Sequence, residues 1–232
     1  MKTIGLLGGM SWESTVSYYQ VLNREVGRRL GGLHSARVLL LSVDFQEIET
    51  LQHEGRWEEL GHILAREASI LEQAGAEFLV LCTNTMHLLA PAIETAVSIP
   101  LFHIADATAS RIREAGMERV GLLGTRFTME KPFYRSRLED RHSIQVVVPA
   151  FQDRREIHRV IYQELTRGRI REESRAVFIR IVDDLFREGA QGVILGCTEI
   201  GLLLRQEDTP VPLFDTALIH AQEAAVLALR EG

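Results

Sequence analysis

Cysteine is scarce: only Cys82 and Cys197 occur in 232 residues. With no CxxC pair and no Cys/His cluster, neither a disulfide framework nor a metal site is expected. No apolar run approaches the ~20 residues a membrane helix needs. Lys2 precedes only a short apolar stretch, Ile4 to Met10, before Trp12 and Glu13, so no signal peptide is read. Basic residues are outnumbered, 26 against 32 acidic, and the net charge of -6 disfavours partnership with nucleic acid or an anionic membrane. Nucleotide-binding signatures are missing too. The Gly8-Gly9-Met10 turn is not GxGxxG, no Walker Lys-Ser/Thr follows it, and Asp44 stands too far away for a ribose carboxylate. What is present is ordinary globular usage, 46% hydrophobic and 25% charged, enough for one or two domains of a cytoplasmic α/β protein.

Short apolar runs alternate with amphipathic stretches along the whole chain. Thr3–Gly8, Ala36–Val43, Glu77–Cys82 and Leu101–Ile104 read as strands buried on both faces of a parallel sheet. Arg119–Gly124, Ile144–Val148, Gln191–Gly196 and Val211–Phe214 repeat the order in the second half. Between them lie helical patterns such as Leu60, Leu64, Ala68 and Leu71, with Glu59, Arg66 and Glu67 on the other face. Trp12 and Trp57 read as packing residues. The run 153–159 reads as a solvated helix face.

The halves also match in register. Gly5-Leu6-Leu7-Gly8 recurs as Gly121-Leu122-Leu123-Gly124, 116 residues on. Gly75-Ala76 with its following strand recurs at Gly189-Ala190, 114 residues on, and Pro100-Leu101-Phe102 recurs as Pro212-Leu213-Phe214, 112 residues on. Similar buried strands explain the apolar runs but not three matches in order. The expectation is two related lobes, each a parallel sheet flanked by helices. The first spans 1–105, with a C-terminal helix 215–232 packing back on it, and the second spans 106–214. Ligands of such sheets bind beyond the carboxyl ends of the strands, so the active site is expected in a cleft between the lobes. The 114 offset pairs Thr83 with Cys197, Asn84 with Thr198 and Thr85 with Glu199. Each trio follows a strand and precedes a predicted helix, where N–H groups can hold an anion.

Two proton-handling groups on opposite faces of one small substrate suit racemisation or epimerisation, which needs a base on one face and an acid on the other. A thiol serves as base because its reference pKa of ~8.5 can fall near a helix start. The chain resembles the cofactor-independent aspartate/glutamate racemase family. The carriers are Ile4-Gly5-Leu6-Leu7-Gly8-Gly9-Met10-Ser11, Cys82-Thr83-Asn84-Thr85-Met86-His87 and Gly196-Cys197-Thr198-Glu199-Ile200. Together they are most similar to its enterobacterial L-aspartate/glutamate-specific branch, described also as broad-specificity amino-acid racemases. The resemblance covers nearly the whole chain. It implies an amino-acid substrate, no pyridoxal phosphate, no metal and a homodimer.

One position departs from the family pattern: Thr83 stands where the family usually has its first cysteine. A hydroxyl is a far poorer base than a thiol, so Cys197 is assigned the abstraction, from the L-enantiomer as the resemblance implies. Thr83, or a water it positions, returns the proton, giving an apparent L-to-D preference. Cys82 reads as a buried structural residue, because adjacent strand residues point to opposite faces. Asn84, Thr85 and Thr198 are candidates for the substrate carboxylate, or simple helix caps. The turn at Met10, which the family uses for that carboxylate, and its match Thr125 are further candidates, or merely tight turns. Glu199 either binds the ammonium, orients a neighbour or caps a helix; beside a thiolate it would raise the thiol pKa. For the side chain, Gln52 stands where aspartate-specific relatives carry a basic residue, which would admit neutral substrates. Glu164 lies near a second such position. His87 reads as a structural hydrogen-bonder one turn after Thr83. The same scaffold also suits a one-cysteine decarboxylase or cis–trans isomerase, or a noncatalytic amino-acid sensor.

Overall fold

The structure, a computed structural model, describes residues 1–230; the last two residues of the expected terminal helix, Glu231 and Gly232, lie outside the described residues. The chain divides into two compact units, Met1–Ile104 with the stretch from His220 onward, and Ala105–Ile219. In the first unit the elements run β1 (Ile4–Gly8), α1 (Trp12–Leu30), β2 (Val38–Ser42), α2 (Phe45–Glu54), α3 (Trp57–Gln73) and β3 (Phe78–Leu81). A 3-10 turn (Thr85–Leu89), α4 (Ala90–Ala96) and β4 (Leu101–Phe102) follow, and α5 (Ile104–Glu114) begins at the unit boundary. The second unit continues with β5 (Arg119–Gly124), α6 (Arg126–Glu130), α7 (Pro132–His142), β6 (Gln145–Val147), α8 (Phe151–Gln163) and α9 (Glu172–Arg187). It closes with β7 (Gly192–Gly196), α10 (Ile200–Leu203), β8 (Leu213–Asp215) and the start of α11 (Thr216–Leu229). No helix among the described residues is long and apolar enough to cross a membrane.

Each unit holds one four-stranded parallel sheet, in the order β2-β1-β3-β4 and β6-β5-β7-β8. The two orders are the same, and the matched sequence segments explain why. Gly75 and Gly189, at φ +100° and +93°, end α3 and α9 in a conformation that a side chain would strain. The following residues close the same cap, Ala76 N–H donating to Leu71 at 3.0 Å and Ala190 N–H to Leu185 at 3.0 Å. Pro100 and Pro212 then offer their carbonyls to Leu79 and Val193, at 2.9 and 2.8 Å, and so set the fourth strand beside the third.

Burial follows strand position. Central strands β1, β3 and β7 are buried throughout, as is β5 apart from Arg119. The expectation of burial on both faces fails at the edges: β2, β4, β6 and β8 are each partly exposed, with Leu40 at 49%. An edge strand has a neighbour on one side only, and the flanking helices cover it incompletely. One face of the first sheet packs Leu7, Leu79 and Leu81 against Leu51 of α2, Leu64 of α3 and Ile93 of α4. Alternation sends Ile4, Leu6, Phe78 and Val80 to the other face, all buried. Trp57 packs at the margin of the first core, as expected. Trp12 does not pack: it is 63% exposed and shares a helix face with the exposed Val16 and Tyr19. The run 153–159 is less solvated than expected: Arg155 alone is exposed, Ile157 is buried, His158 packs against Phe127 and Tyr162, and Arg159 reaches inward to the buried carboxylate of Glu164 at 3.0 Å. Glu164 also accepts from the Ser174 hydroxyl at 2.6 Å, so it braces α8 against α9.

Candidate active site

In each sheet the chain leaves its first strand to one side and returns past it to the third, so the order reverses between β1 and β3 and between β5 and β7. The carboxyl ends of strands at such a reversal are where open α/β sheets bind ligands. In the first unit these ends carry 9–11 and 82–85; in the second they carry 125–126 and 197–199.

Gly9 sits at φ +93°, and a Cβ there would collide with the backbone of Val43, so the turn after β1 requires glycine. Its N–H donates to the Thr15 hydroxyl at 2.9 Å, which fastens the turn to α1. The Met10 side chain belongs to the apolar core beside Leu51 and Met86, which leaves only its backbone for a ligand. After β3 the chain bends sharply. Cys82 N–H donates to Leu7 and Thr83 N–H to Leu81, both at 2.9 Å. The Cys82 thiol is fully buried, burial pushes its pKa well up, and among the described residues its only acceptor is the Val80 carbonyl at 3.8 Å. Thr83 keeps 8% exposure, and its hydroxyl has no hydrogen-bond partner among the described residues.

In the second unit Cys197 Sγ donates to Glu199 Oε2 at 3.0 Å, and the Thr198 hydroxyl donates to the same oxygen at 3.0 Å. Cys197 is 8% exposed. Burial, and after it the Glu199 charge and hydrogen bond, push the thiol pKa well above its ordinary value. This corrects the expectation of a thiol lowered by a helix start. The helix that follows, α10, has four residues, and the first motif enters a 3-10 turn of five, so neither carries a dipole of consequence.

A strand-end thiol paired with a carboxylate inside a duplicated sheet narrows the family. The sequence pattern of the Asp/Glu/hydantoin racemase family matches residues 7–224. The chain belongs to this family. A crystal structure of a candidate Asp/Glu racemase from Yersinia pestis is 52% identical, covers 99% of this chain and 100% of its own, and superposes with a TM-score of 0.92. An aspartate racemase homologue from Pyrococcus horikoshii is 36% identical over 99% of this chain and 100% of its own, with a TM-score of 0.84. The broad specificity amino-acid racemase RacX of Bacillus subtilis is 23% identical over 66% of this chain; the match spans 65% of that relative, less than two thirds of its length. Racemases are isomerases, so the chain's family is one of isomerases.

Of the remaining residues singled out from the sequence, Asn84, Thr85, Thr125, Thr198 and Glu199 follow these strand ends, whereas Gln52 lies on a helix. Gln52 is buried on α2, 2% exposed. Asn84 and Thr85 are buried at the start of the 3-10 turn, and the Asn84 side chain does not cap it. Thr125 caps α6, its hydroxyl accepting from Thr128 N–H at 3.2 Å. Glu199 makes no capping bond to α10, which removes that alternative. The Thr198 proton is given to Glu199, so its backbone N–H is the better candidate for a ligand.

Two residues were not singled out as site candidates. His103 and Asp215, 112 residues apart, stand at the carboxyl end of the fourth strand of each sheet, His103 just after β4 and Asp215 as the last residue of β8. Burial raises the Asp215 carboxyl pKa, and Oδ1 accepts from Ala217 and Leu218 N–H at 3.0 and 3.1 Å, capping α11. The His103 ring packs edge-on against His87, with centroids 4.3 Å apart. The same Pro-Leu-Phe match that aligned the strands leads directly to this pair.

Proposed function

We propose that this protein is an amino-acid racemase acting on aspartate, glutamate or related small polar amino acids without pyridoxal phosphate. The observation that supports it best is the Cys197 thiol hydrogen-bonded to Glu199 at the end of β7. In this reading the thiol loses its proton to become the base, and the thiolate takes the α-proton from one face of an L-substrate. The pair of electrons left on Cα delocalises into the substrate carboxylate, and Thr83, or a water it holds, delivers a proton to the opposite face. Backbone N–H groups at Met10, Asn84, Thr85, Thr125 and Thr198 hold the carboxylate. Gln52 meets the side chain, and its neutral amide favours tolerance over strict selection of an acid. The thiol proton leaves to solvent, and the Glu199 carboxylate meets the substrate ammonium, whose arrival offsets that charge and stabilises the thiolate.

Incubation of L-glutamate and L-aspartate in D2O, followed by NMR at the α-position, tests this. Solvent deuterium is expected at Cα together with appearance of the D-enantiomer. No exchange with any amino acid tested rejects the chemistry. Cys197 is the sole thiol open to a ligand, which also suits a decarboxylase. Release of carbon dioxide from a malonate, without amino-acid exchange, would select that second reading.

The raised thiol sets the pH dependence. A group held protonated must be ionised to act as base, so kcat/KM rises with pH through the neutral and alkaline range. The variant E199Q removes the negative charge that is one cause of the raised pKa. Its rising limb is expected at lower pH than that of the wild type. The plateau is about tenfold lower because the substrate ammonium loses its charged partner. A limb that stays in place shows that Glu199 does not set the state of Cys197.

A further inference from the structure

We infer that His87 is a positioning residue that holds the Thr83 hydroxyl in place by clamping the Thr83 peptide carbonyl, an inference that rests on the proton-return role proposed for Thr83. The Thr83 N–H donates to Leu81 at 2.9 Å. Its carbonyl lies 2.7 Å from Nδ1 of His87. With the backbone tied on both sides, rotation about χ1 is the only freedom left to the hydroxyl. The imidazole itself is held. Nε2 lies 3.2 Å from the Ile104 N–H, the ring rests edge-on against His103, and the residue is 2% exposed. An N–H can only donate, so Nε2 is the acceptor and the ring proton sits on Nδ1, pointed at Thr83. Ile104 thus selects the tautomer that the clamp needs.

The second unit provides an internal comparison. The 114 offset places Gly201 where the first unit has His87, and the 112 offset places Asp215 where it has His103. There the Cys197 carbonyl accepts from the Ile200 backbone N–H at 3.0 Å, and a Cβ on Gly201 would collide with the Asp215 carboxylate. The same strand-to-helix bend therefore forms with no side chain at this position, so the architecture alone does not call for histidine. The two loops differ in what orients the residue that acts. Cys197 has the Glu199 carboxylate on its thiol, whereas Thr83 has no such partner on its hydroxyl and is held through its backbone.

Three substitutions separate the two ring nitrogens. H87N keeps a donor near the Nδ1 position, H87Q keeps an acceptor near the Nε2 position, and H87A keeps neither. With L-glutamate and L-aspartate followed by chiral chromatography, H87A and H87Q are expected to invert about tenfold more slowly, the weight of one buried hydrogen bond. H87N is expected to recover most of the wild-type rate. Deuterium wash-in to L-substrate that keeps its configuration should stay within about threefold of wild type in all three, since that proton passes through Cys197. Rescue by H87Q equal to that by H87N overturns the inference, as does a parallel fall of wash-in and inversion in folded variants. The 15N shifts of His87 in the wild-type protein give a readout free of turnover: a proton on Nδ1 and none on Nε2 is expected. A proton on Nε2 overturns the clamp whatever the protein catalyses. A correct tautomer in a protein that racemises no amino acid instead overturns the proposed function, and the role of Thr83 with it.

Discussion

The variant T83C is expected to raise kcat/KM for inversion by at least about tenfold, and by the same factor from L and from D. Free enantiomers have equal free energy in achiral solvent, so the ratio of the two kcat/KM values is fixed at one for any variant. An apparent preference for the L-substrate therefore resides in kcat and KM separately: slow turnover of D must be matched by a low KM for D. A threonine hydroxyl is the weak member of the proposed pair, because it ionises far above the ~8.5 of a thiol and cannot readily take a proton from D-substrate. A thiol at 83 removes that handicap, and the kcat values for the two hands converge. Cys82 cannot do this already, since its thiol is sealed in the core one residue away. Equal factors in the two directions check the assay, and the size of the factor is the test. An unchanged or lower kcat/KM in a folded T83C removes residue 83 from proton transfer.

Much of this scaffold is written in local sequence. Buried parallel strands are short apolar runs, and the eight runs read as strands are strands to within a few residues. The repeated Gly-Ala and Pro-Leu-Phe segments carry the same caps and the same cross-strand bonds in both sheets, because the torsions they impose depend on a few neighbours only. Edge exposure was not legible, since whether β2 or β6 lies outside depends on strand order and not on its residues. The exposed side of α1 was within reach: Trp12, Val16 and Tyr19 recur at helical spacing, in a stripe beside the buried Tyr18, Leu22 and Val26.

Legibility at the candidate site follows sequence distance. Cys197 and Glu199 are two residues apart, and the electrostatic consequence of their closeness could be stated in advance; the loss of any helix-start effect could not, because α10 stops after one turn. His87 lies four residues from Thr83, so its contact with that carbonyl is a helical-turn contact. The bond from Ile104 that fixes its tautomer comes from the far side of α4 and β4, and no local pattern announces it.

Both C197S and C197A are expected to lose inversion by at least about a thousandfold, and both are expected to lose deuterium exchange with it. The two substitutions divide the work of the residue. Serine keeps a donor for Glu199 and nearly the same volume, so the local hydrogen bond survives while the acidity of the group falls far below that of a thiol. Alanine removes both. If Cys197 served only to hold Glu199 and Thr198 in place, serine would retain most of the activity that alanine loses. If it is the base, the two variants fail alike. Cys197 lies at the end of β7 with 8% exposure, and exchange for a small residue there is expected to cost no more than about 1–2 kcal/mol, so the variants should remain folded by circular dichroism. C82A supplies the counterpart. It opens a small cavity in the first core and lowers stability by about 1 kcal/mol, yet inversion stays within about threefold of wild type, because that thiol has no route to a ligand. Retained inversion in C197A, or its loss in a folded C82A, assigns the base to the wrong sulfur.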